Sequence, residues 1–323
     1  MLKNKILKYL YASKGNIVTG GEMAEYFNVS RTAIWKNIKA LQEEGYIIAT
    51  HKNSGYTLSD DNDVLTIEGI ESCLTAKVFA KRIELLSSIT STNSYLKGLD
   101  LPSLPEGYTV IADCQTEGRG RMGRKFHSPN REGLYISFLL KPSISTAEIQ
   151  LVTVCAAVAV CRAINLLLGI QTSIKWVNDI FYNDKKLCGI LTEATFSAEL
   201  NRIESVVVGI GINTGKVAKD VLGIATSLYQ ISGKKGLREP LAAALINEFE
   251  KIYFALGEES KRKQIIDEYR DRLFIIGKKV MINNFRSVYP AIVRGIDANA
   301  SLLVTTSEGE EQTLRSGEIS LIL

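Results

Sequence analysis

The chain has 323 residues, which exceeds the size of one ordinary domain and favours two or three. Its 46% apolar and 23% charged residues exclude a wholly disordered or fibrous protein. The formal net charge of +4 comes from residues 1–59, which hold eight Lys or Arg against four Asp or Glu, because the rest of the chain holds 31 of each. A small basic module on a neutral body indicates a nucleic-acid-binding domain joined to something else.

The cysteines and the apolar segments indicate where the protein works. Five irregularly spaced cysteines, no Cys-x-x-Cys pair and only two histidines argue against a zinc site, so we predict no metal ligands in the chain. Unpaired cysteines fit a reducing compartment. The longest apolar stretch, near residues 154–161, is far shorter than a membrane span, and lysines interrupt the apolar N-terminus, unlike a signal peptide. We expect a soluble, cytoplasmic protein with no membrane partner.

The first 59 residues predict a winged helix-turn-helix. Residues 1–12 and 21–27 have helical apolar periodicity, and Ser30 is placed to cap a third helix that Gly45 ends. Two short strand-like segments then flank a polar, basic turn at residues 51–55. Two helices, a tight turn, a third helix and a two-stranded wing follow one another in the order of this DNA-binding module.

The third helix and the wing contain the residues that we expect to contact DNA. Side chains at the start of the recognition helix would approach base edges, and the lysines would meet phosphates. Surface lysines are also commonly just solvated, and Trp35 could instead belong to the core. The predicted DNA-binding residues are Ser30, Arg31, Thr32, Trp35, Lys36, Lys39 and Lys52.

The remainder of the chain predicts an α/β domain followed by a small β-rich domain. Residues 59–66 are polar and acidic and indicate a linker, after which Thr66 starts an amphipathic helix. Strand-like segments are expected at 83–89, 108–114, 134–140, 173–177, 179–183, 187–194 and 204–213, and helices at 93–99, 146–168, 240–256 and 261–273. After Gly277, four or five short strands predict a small β-barrel. The predicted domains are 1–60, 66–274 and 275–323.

A basic loop is the densest functional signal, with the sequence Gly118-Arg119-Gly120-Arg121-Met122-Gly123-Arg124-Lys125-Phe126. It contains G-x-G-x-x-G, but no apolar helix follows it and no acidic residue stands about twenty positions on, so we reject a dinucleotide site. No Gly-Lys-Ser/Thr closes it, which excludes a Walker loop. Flexible glycines with four cations suit a loop that wraps a highly charged anion. Taken alone, the segment could equally be a disordered surface loop.

Three further motifs have plausible chemistry. Lys175 begins Lys-Trp-Val-Asn-Asp at a strand end, where a fixed lysine could stabilise a phosphate. Ser91-Thr92-Asn93 closes a strand and could simply cap a helix. Gly209 and Gly211, in Gly-Ile-Gly-Ile-Asn, permit close approach of a strand backbone to a ligand.

Together these motifs resemble one family. Ser-Thr-Asn, Gln-x-x-Gly-Arg-Gly-Arg-x-Gly-Arg-Lys, Lys-Trp-x-Asn-Asp, Gly-x-Leu-x-Glu and Gly-Ile-Gly-Ile-Asn follow a winged helix in the order typical of bifunctional biotin–protein ligases that also serve as biotin operon repressors. The resemblance covers nearly the whole chain. It implies a multidomain α+β protein: an N-terminal winged helix, a central α/β ligase domain with a mixed sheet and a C-terminal SH3-like barrel. Lipoate ligases share the core fold but lack the basic loop. Val177 and Phe126 depart from the proline and tryptophan frequent in the family.

The resemblance implies a two-step reaction. The biotin carboxylate attacks the α-phosphorus of ATP, with Mg²⁺ accompanying the nucleotide, and gives biotinyl-5′-AMP and pyrophosphate. A lysine of a biotin carboxyl carrier domain then attacks the mixed anhydride. The implied catalytic residues are Lys175, Arg121 and Arg119. The implied biotin contacts are Ser91, Thr92, Asn93, Gln115, Arg119, Gly120, Arg121 and Lys175, and the implied adenylate contacts are Gly118, Arg124, Phe126 and Asn213.

The resemblance also implies regulation. With biotinyl-5′-AMP as corepressor, the protein would form a homodimer that binds two half-sites of operator DNA and represses biotin genes. Two alternatives remain: an adenylate-sensing repressor without significant ligase turnover, and a ligase for another carboxylic acid such as lipoate. Retention of Lys175 together with an intact basic loop favours the enzyme.

Overall fold

A computed structural model describes residues 2–52, 54–59, 61–79, 81–197, 202–284 and 287–321. The helices are α1 Leu2–Ala12, α2 Gly20–Tyr26, α3 Arg31–Glu43, α4 Ile67–Glu71, α5 Thr92–Lys97, α6 Ile149–Leu168, α7 Leu228–Ser232, α8 Arg238–Ala255 and α9 Glu259–Asp271. The strands are β1 Ile48–His51, β2 Gly55–Leu58, β3 Ile83–Leu86, β4 Thr109–Ala112, β5 Gly133–Leu140, β6 Ser173–Lys175, β7 Asp179–Tyr182, β8 Lys185–Ser197, β9 Arg202–Asn213, β10 Lys279–Asn283, β11 Val288–Ile296, β12 Leu302–Thr306, β13 Glu311–Leu314 and β14 Glu318–Leu321.

The N-terminal helices and the β1–β2 hairpin form the predicted winged helix-turn-helix. Thr19 caps α2 in a capping box. The Thr19 hydroxyl accepts a hydrogen bond from the Glu22 backbone N–H, and the Glu22 carboxylate accepts one from the Thr19 backbone N–H. Ser30 caps α3 through its hydroxyl. The apolar faces of α1, α2 and α3 enclose a core separate from that of the rest of the chain. Asn53, in the turn of the wing, lies outside the described residues.

A seven-stranded mixed sheet forms the centre of the molecule, in the order β3-β4-β5-β9-β8-β7-β6. β3 and β4 are parallel, and the other neighbours are antiparallel. The long helices α6 and α8 pack together and bury their apolar faces in the core beside the sheet. By length and composition Thr146–Leu168 could cross a membrane, but 72% of its apolar window is buried inside the protein, as in a core helix.

A five-stranded antiparallel sheet follows at the C-terminus, in the order β13-β12-β11-β10-β14. Its inward side chains, including Val280, Ile282 and Val293, join the core of the central sheet instead of enclosing a separate one. The strand turn between β13 and β14 thereby comes to lie beside the basic loop, where Arg124 forms an ion pair with Glu318.

The acidic linker is packed, although its composition predicts only a polar connector. Asn62 is 2% exposed and accepts a hydrogen bond from the Ile47 backbone. Asp63 pairs with Arg238, which is 1% exposed and also pairs with Asp113. Glu239 accepts from both the backbone and the hydroxyl of Thr66. Because a buried charge is stable only when paired, these contacts fix the linker to the start of α8.

Sequence periodicity places most elements correctly, and the main difference lies after Lys175. The predicted strand 173–177 ends at Lys175, because the next residues turn into the core. The Trp176 indole donates to the Ala300 carbonyl at 2.9 Å, and the Tyr269 hydroxyl donates to the Val177 carbonyl at 2.8 Å. The Trp176–Val177 peptide bond is cis. The short helix α7 was not predicted.

Candidate active site

A cavity of about 180 Å³ lies between the central sheet, the basic loop and strand β14. The basic side chains that line it are Arg119, Arg121, Arg124, Lys125, Lys175 and Lys186. The carboxylates among the described residues of the lining are Asp179, paired with Lys186 at 2.7 Å, and Glu318, paired with Arg124 at 2.5 Å. The excess of positive charge favours the binding of an anionic ligand in this cavity.

The basic loop is folded. The Gly120 N–H donates to the Arg124 carbonyl at 2.7 Å, and the Phe126 N–H donates to the Gly118 carbonyl at 2.8 Å. A Cβ on Gly118 would lie 2.4 Å from the Phe126 carbonyl oxygen, so this position requires glycine. Residues 113–132, all described, contain one short 3₁₀ turn and no α-helix. The loop therefore lacks the helix of a dinucleotide-binding motif, as its sequence predicts.

Two arginines tie this loop to other parts of the cavity. Arg121 donates to the Asn178 side chain and to the Gly317 carbonyl, both at 3.1 Å. Arg124 is exposed and holds Glu318. Burial lowers the pKa of Arg121. Arg119 is exposed at the edge of the cavity.

Lys175 ends β6 at the cavity wall and is half-buried. Burial lowers its pKa, and the nearby cations Lys186 and Arg124 lower it further, against the opposing effect of Asp179. Because the next two residues are anchored in the core, the backbone of this lysine is fixed. The protein holds a cation with few compensating contacts, which suits it to bind an anionic ligand.

Short polar side chains form the other end of the cavity. Ser91 caps α5, as the simpler interpretation of Ser-Thr-Asn predicts, and it also lines the cavity; its contact with a ligand stays a prediction. The Thr92 N–H donates to the Gln115 side-chain oxygen at 2.8 Å, and the Gln115 amide donates to the Ser128 hydroxyl at 2.9 Å. Asn93 is 2% exposed, and its amide nitrogen donates to Glu193 and to the Leu191 carbonyl. This end offers hydrogen bonds to a neutral, polar ligand group.

Glycines in the strands leave space for the side chains of Asn93 and Phe126. A Cβ on Gly209 would lie 2.2 Å from Asn93 Oδ1, and one on Gly211 would lie 2.4 Å from the Phe126 ring. A Cβ on Gly189 would be 3.3 Å from the same ring. The glycines allow the close approach of protein side chains, and their approach to a ligand stays a prediction.

The sequence interpretation differs from the observed cavity in several residues. Gly118 and Asn213 do not line it; Gly118 shapes the loop, and Asn213 donates to the Thr226 carbonyl at 3.0 Å. Lys186, Glu318 and Ser320 do line it but were not predicted as site residues. The two lysines before Gly-x-Leu-x-Glu and the terminal Ser-Gly-Glu-Ile-Ser are local signals, but neither indicates proximity to a loop far away in sequence. In the described part of the chain, His, Cys, Asp and Glu form no cluster of three or more that could hold a metal.

A second candidate site lies on α3. Its inner face buries Ile34, Ile38 and Leu41, and its outer face exposes Arg31, Thr32, Trp35, Lys36 and Lys39. Trp35 is 50% exposed with the Lys39 ammonium 5.9 Å from its ring, so the core interpretation of Trp35 is wrong. Lys52 is exposed in the wing, and Ser30 accepts from the Ala33 N–H as a cap. The arrangement is a basic helix face beside a wing, as DNA recognition requires.

Comparisons with known proteins cover both sites. Residues 85–213 match the model of the biotin/lipoate A/B protein ligase family, and residues 3–57 match a helix-turn-helix domain model. The bifunctional ligase/repressor BirA of Bacillus subtilis (strain 168) is 35% identical over 98% of this chain and 98% of that protein. The protein of the same name from Escherichia coli (strain K12) is 30% identical over 96% and 94%.

A solved structure is similar over three quarters of this chain. The biotin protein ligase from Aquifex aeolicus in complex with biotin and ATP has a TM-score of 0.63 and 28% identity, and the match covers 75% of this chain and 99% of that one.

Proposed function

The chain belongs to the family of bifunctional biotin ligase/repressor proteins, and from that premise we propose that it activates biotin with ATP to biotinyl-5′-AMP, transfers biotin to a lysine of a biotin carboxyl carrier domain and represses biotin genes. One observation carries the enzymatic part: a cavity in which six cations face a polar, hydrogen-bonding end. The cations suit a triphosphate and a carboxylate, and the polar end suits the cyclic urea of biotin.

The first step must bring two anions together. Biotin carboxylate and ATP repel each other as they approach, so fixed cations lower the barrier by positioning and charge stabilisation. In this proposal Lys175 contacts the carboxyl and α-phosphate oxygens, Arg119 and Arg121 close over biotin and the adenylate, and Arg124 points toward the phosphates. Mg²⁺ would neutralise the pyrophosphate, bound mainly by phosphate oxygens and water, because both carboxylates of the cavity are already paired with cations.

The ligand contacts follow from the two ends of the cavity. Ser91, Thr92, Gln115 and the Gly120 backbone would hold the urea ring, with Asn93 behind them. Phe126 would offer an aromatic face to the adenylate. Gly118 and Asn213 stay in the proposed adenylate site: Gly118 because it shapes the loop, and Asn213 because it ends the strand two residues beyond Gly211, which lines the cavity.

We also propose the domain boundaries 1–60, 66–274 and 275–323, with the C-terminal sheet as an SH3-like barrel. The separate core of the winged helix supports the first boundary.

The regulatory proposal is a cytoplasmic homodimer that is stabilised when the adenylate orders the basic loop. This homodimer would bind operator DNA through Ser30, Arg31, Thr32, Trp35, Lys36, Lys39 and Lys52. Two linked winged helices would bind two half-sites far more tightly than one.

The direct test is transfer of labelled biotin by the purified protein to a carrier domain in the presence of ATP. With biotin we expect ATP-dependent labelling of one carrier lysine. With labelled lipoate in place of biotin we expect no labelling. Bound adenylate without transfer would establish the sensor alternative, and transfer of lipoate instead of biotin would overturn the substrate assignment.

Arg121→Gly is expected to release biotinyl-5′-AMP about 10- to 100-fold faster, since hydrogen bonds to charged groups contribute about 1.5–3 kcal/mol. The variant loses the bonds to Asn178 and Gly317 that hold the loop over the cavity, while Lys175 stays in place to make the adenylate. The measurement is dissociation of preformed adenylate in a chase. Met122→Gly, in the same loop but exposed and uncharged, is the control for added loop flexibility. Slow release from Arg121→Gly, or equal acceleration in both variants, would contradict the role.

A further inference from the structure

A continuous chain of polar contacts runs from the surface to the cavity. It begins at Lys97, whose ammonium is 2.7 Å from Glu193 Oε1, and continues from Glu193 Oε2 to Asn93 Nδ2 at 2.9 Å. Ser137 Oγ lies 2.7 Å from Asn93 Oδ1 and 2.7 Å from Thr92 Oγ1. Ser137 and Asn93 are 0% and 2% exposed, and Thr92 lines the cavity. Glu193 is the last residue of the Gly-x-Leu-x-Glu motif, to which the proposed reaction assigns no role.

Glu193 and the Leu191 carbonyl together determine the orientation of the Asn93 amide, and Glu193 makes the shorter of the two contacts. Burial alone would raise the pKa of Glu193, but hydrogen bonds from Lys97 and Asn93 outweigh it, so that its pKa lies below its ordinary value. The carboxylate is therefore ionised and can only accept. The Leu191 carbonyl, 3.2 Å from Asn93 Nδ2, can also only accept. Both of these acceptors require a hydrogen from the NH₂ group of Asn93. The side-chain oxygen of Asn93 must therefore face Ser137.

The directions of the two hydroxyl hydrogens then follow. Asn93 Oδ1 has no hydrogen, so the 2.7 Å contact with Ser137 requires the hydrogen of Ser137. The 2.7 Å contact between the two hydroxyl oxygens needs a hydrogen as well, and only Thr92 can supply it. If Ser137 instead donated its hydrogen to Thr92, the Ser137 and Asn93 oxygens would face each other at 2.7 Å with no hydrogen between them. Gln115 Oε1 could also accept the Thr92 hydroxyl hydrogen, at 3.1 Å, but it already accepts the Thr92 backbone N–H, and the shorter contact with Ser137 has no other hydrogen.

We propose that Glu193 is a positioning residue that, through Asn93 and Ser137, fixes the Thr92 hydroxyl as a hydrogen-bond acceptor toward the ligand. Its donor hydrogen is used inside the protein, so the free lone pair of Thr92 selects a ligand N–H at this point and disfavours an oxygen there. The inference rests on the proposed function, in which the ligand is biotin and the group is a ureido N–H. A ring with oxygen in place of that N–H would leave two acceptors in contact, which costs about 10- to 100-fold in affinity.

Binding of biotin and two analogues tests the selection directly. The analogues are the two cyclic carbamates in which one ring N–H or the other is replaced by oxygen. We expect the wild-type protein to prefer biotin over one of the analogues by about 100-fold. In Ser137→Ala the Thr92 hydrogen is released and can turn toward the ring oxygen, so this preference should fall below about tenfold. An unchanged preference in a folded Ser137→Ala would overturn the proposal.

A pair of substitutions tests the role of Glu193 independently. Asn93→Asp places two carboxylates in contact and should raise the biotin KM about 100-fold, with kcat at saturating biotin within about threefold, because Lys175 is untouched. Glu193→Gln keeps an acceptor for Asn93 and should change the KM by less than about fivefold. In the double variant, the amide introduced at position 193 can donate to the carboxylate introduced at position 93, whose other oxygen still accepts from Ser137. We therefore expect at least about tenfold recovery over Asn93→Asp alone.

The outcomes separate this inference from the proposed function. A wild-type protein that does not bind biotin defeats the function itself. If the wild-type protein binds biotin, either a failure to recover in the double variant or an unchanged analogue preference in a folded Ser137→Ala defeats the role of Glu193 and leaves the proposed function standing. If Ser137→Ala fails to fold, as judged by thermal unfolding, the recovery in the double variant alone decides whether the role of Glu193 stands.

Discussion

Lys175→Ala is expected to slow the synthesis of biotinyl-5′-AMP about 100- to 1000-fold, because a fixed charge at a developing phosphorane is worth about 3–4 kcal/mol. Lys175 ends β6, and the next two residues are held by the Ala300 carbonyl and the Tyr269 hydroxyl. The position of its backbone is thus set before the ligand binds. A cation that needs little reorganisation favours the transition state over the ground state.

The measurement is single-turnover formation of the adenylate at saturating biotin and ATP, with thermal unfolding to confirm the fold. Lys185→Ala is the matched control, because Lys185 is an exposed lysine at the start of β8 that does not line the cavity. We expect the control to keep wild-type rates. A rate near that of the wild type in Lys175→Ala would remove this lysine from the proposed catalytic residues.

Local sequence signals predict the elements of this fold well where short-range physics decides. Thr19 and Ser30 cap their helices as their side chains favour, and the inward positions of α3 follow from a 3.6-residue period. The helix α7, only five residues long, has too little periodicity to detect. The strand before Trp176 stops early because tertiary hydrogen bonds compete with an apolar run.

Convergence of distant residues is what the sequence alone does not predict. The resemblance to a known family identifies Lys175, the basic loop and Ser91, but it does not indicate that Arg121 donates to Gly317 or that Arg124 pairs with Glu318. Those contacts join segments almost 200 residues apart. The acidic linker is similar, because its partner Arg238 is an unremarkable arginine in sequence and a buried one in the fold.

Asn93 illustrates a different limit. Its position in Ser-Thr-Asn predicts a ligand contact, which stays a prediction, and the structure adds that its amide nitrogen is bonded to Glu193 and the Leu191 carbonyl. A motif identifies residues that must be present together. It does not distinguish one that touches the ligand from one that orients its neighbour, because both roles require the same residue at the same place.

Arg31→Ala is expected to weaken operator binding about 10- to 100-fold per half-site, since a bidentate contact to a base contributes about 1–3 kcal/mol. Arg31 is exposed at the first turn of α3, and its guanidinium lies against α2, where a Cβ on Gly21 would be 2.9 Å from it. The side chain therefore lies beside α2, at the start of the recognition helix. Lys8→Ala removes the same charge from α1, outside the recognition helix, and should have little effect.

Titration of operator DNA at fixed salt, without ligand, with biotin and with biotin plus ATP, measures both this contact and its regulation. We expect the tightest binding with both ligands, because biotin alone supplies no phosphate around which the loop cations can gather. Lys39→Ala should weaken binding to all sequences alike and reduce the salt slope by about one, as loss of a phosphate contact predicts. Equal affinities in the three ligand states would leave α3 as a DNA-binding helix but remove the corepressor. Equal effects of Arg31→Ala and Lys8→Ala would show that net charge, and not the recognition helix, determines the affinity.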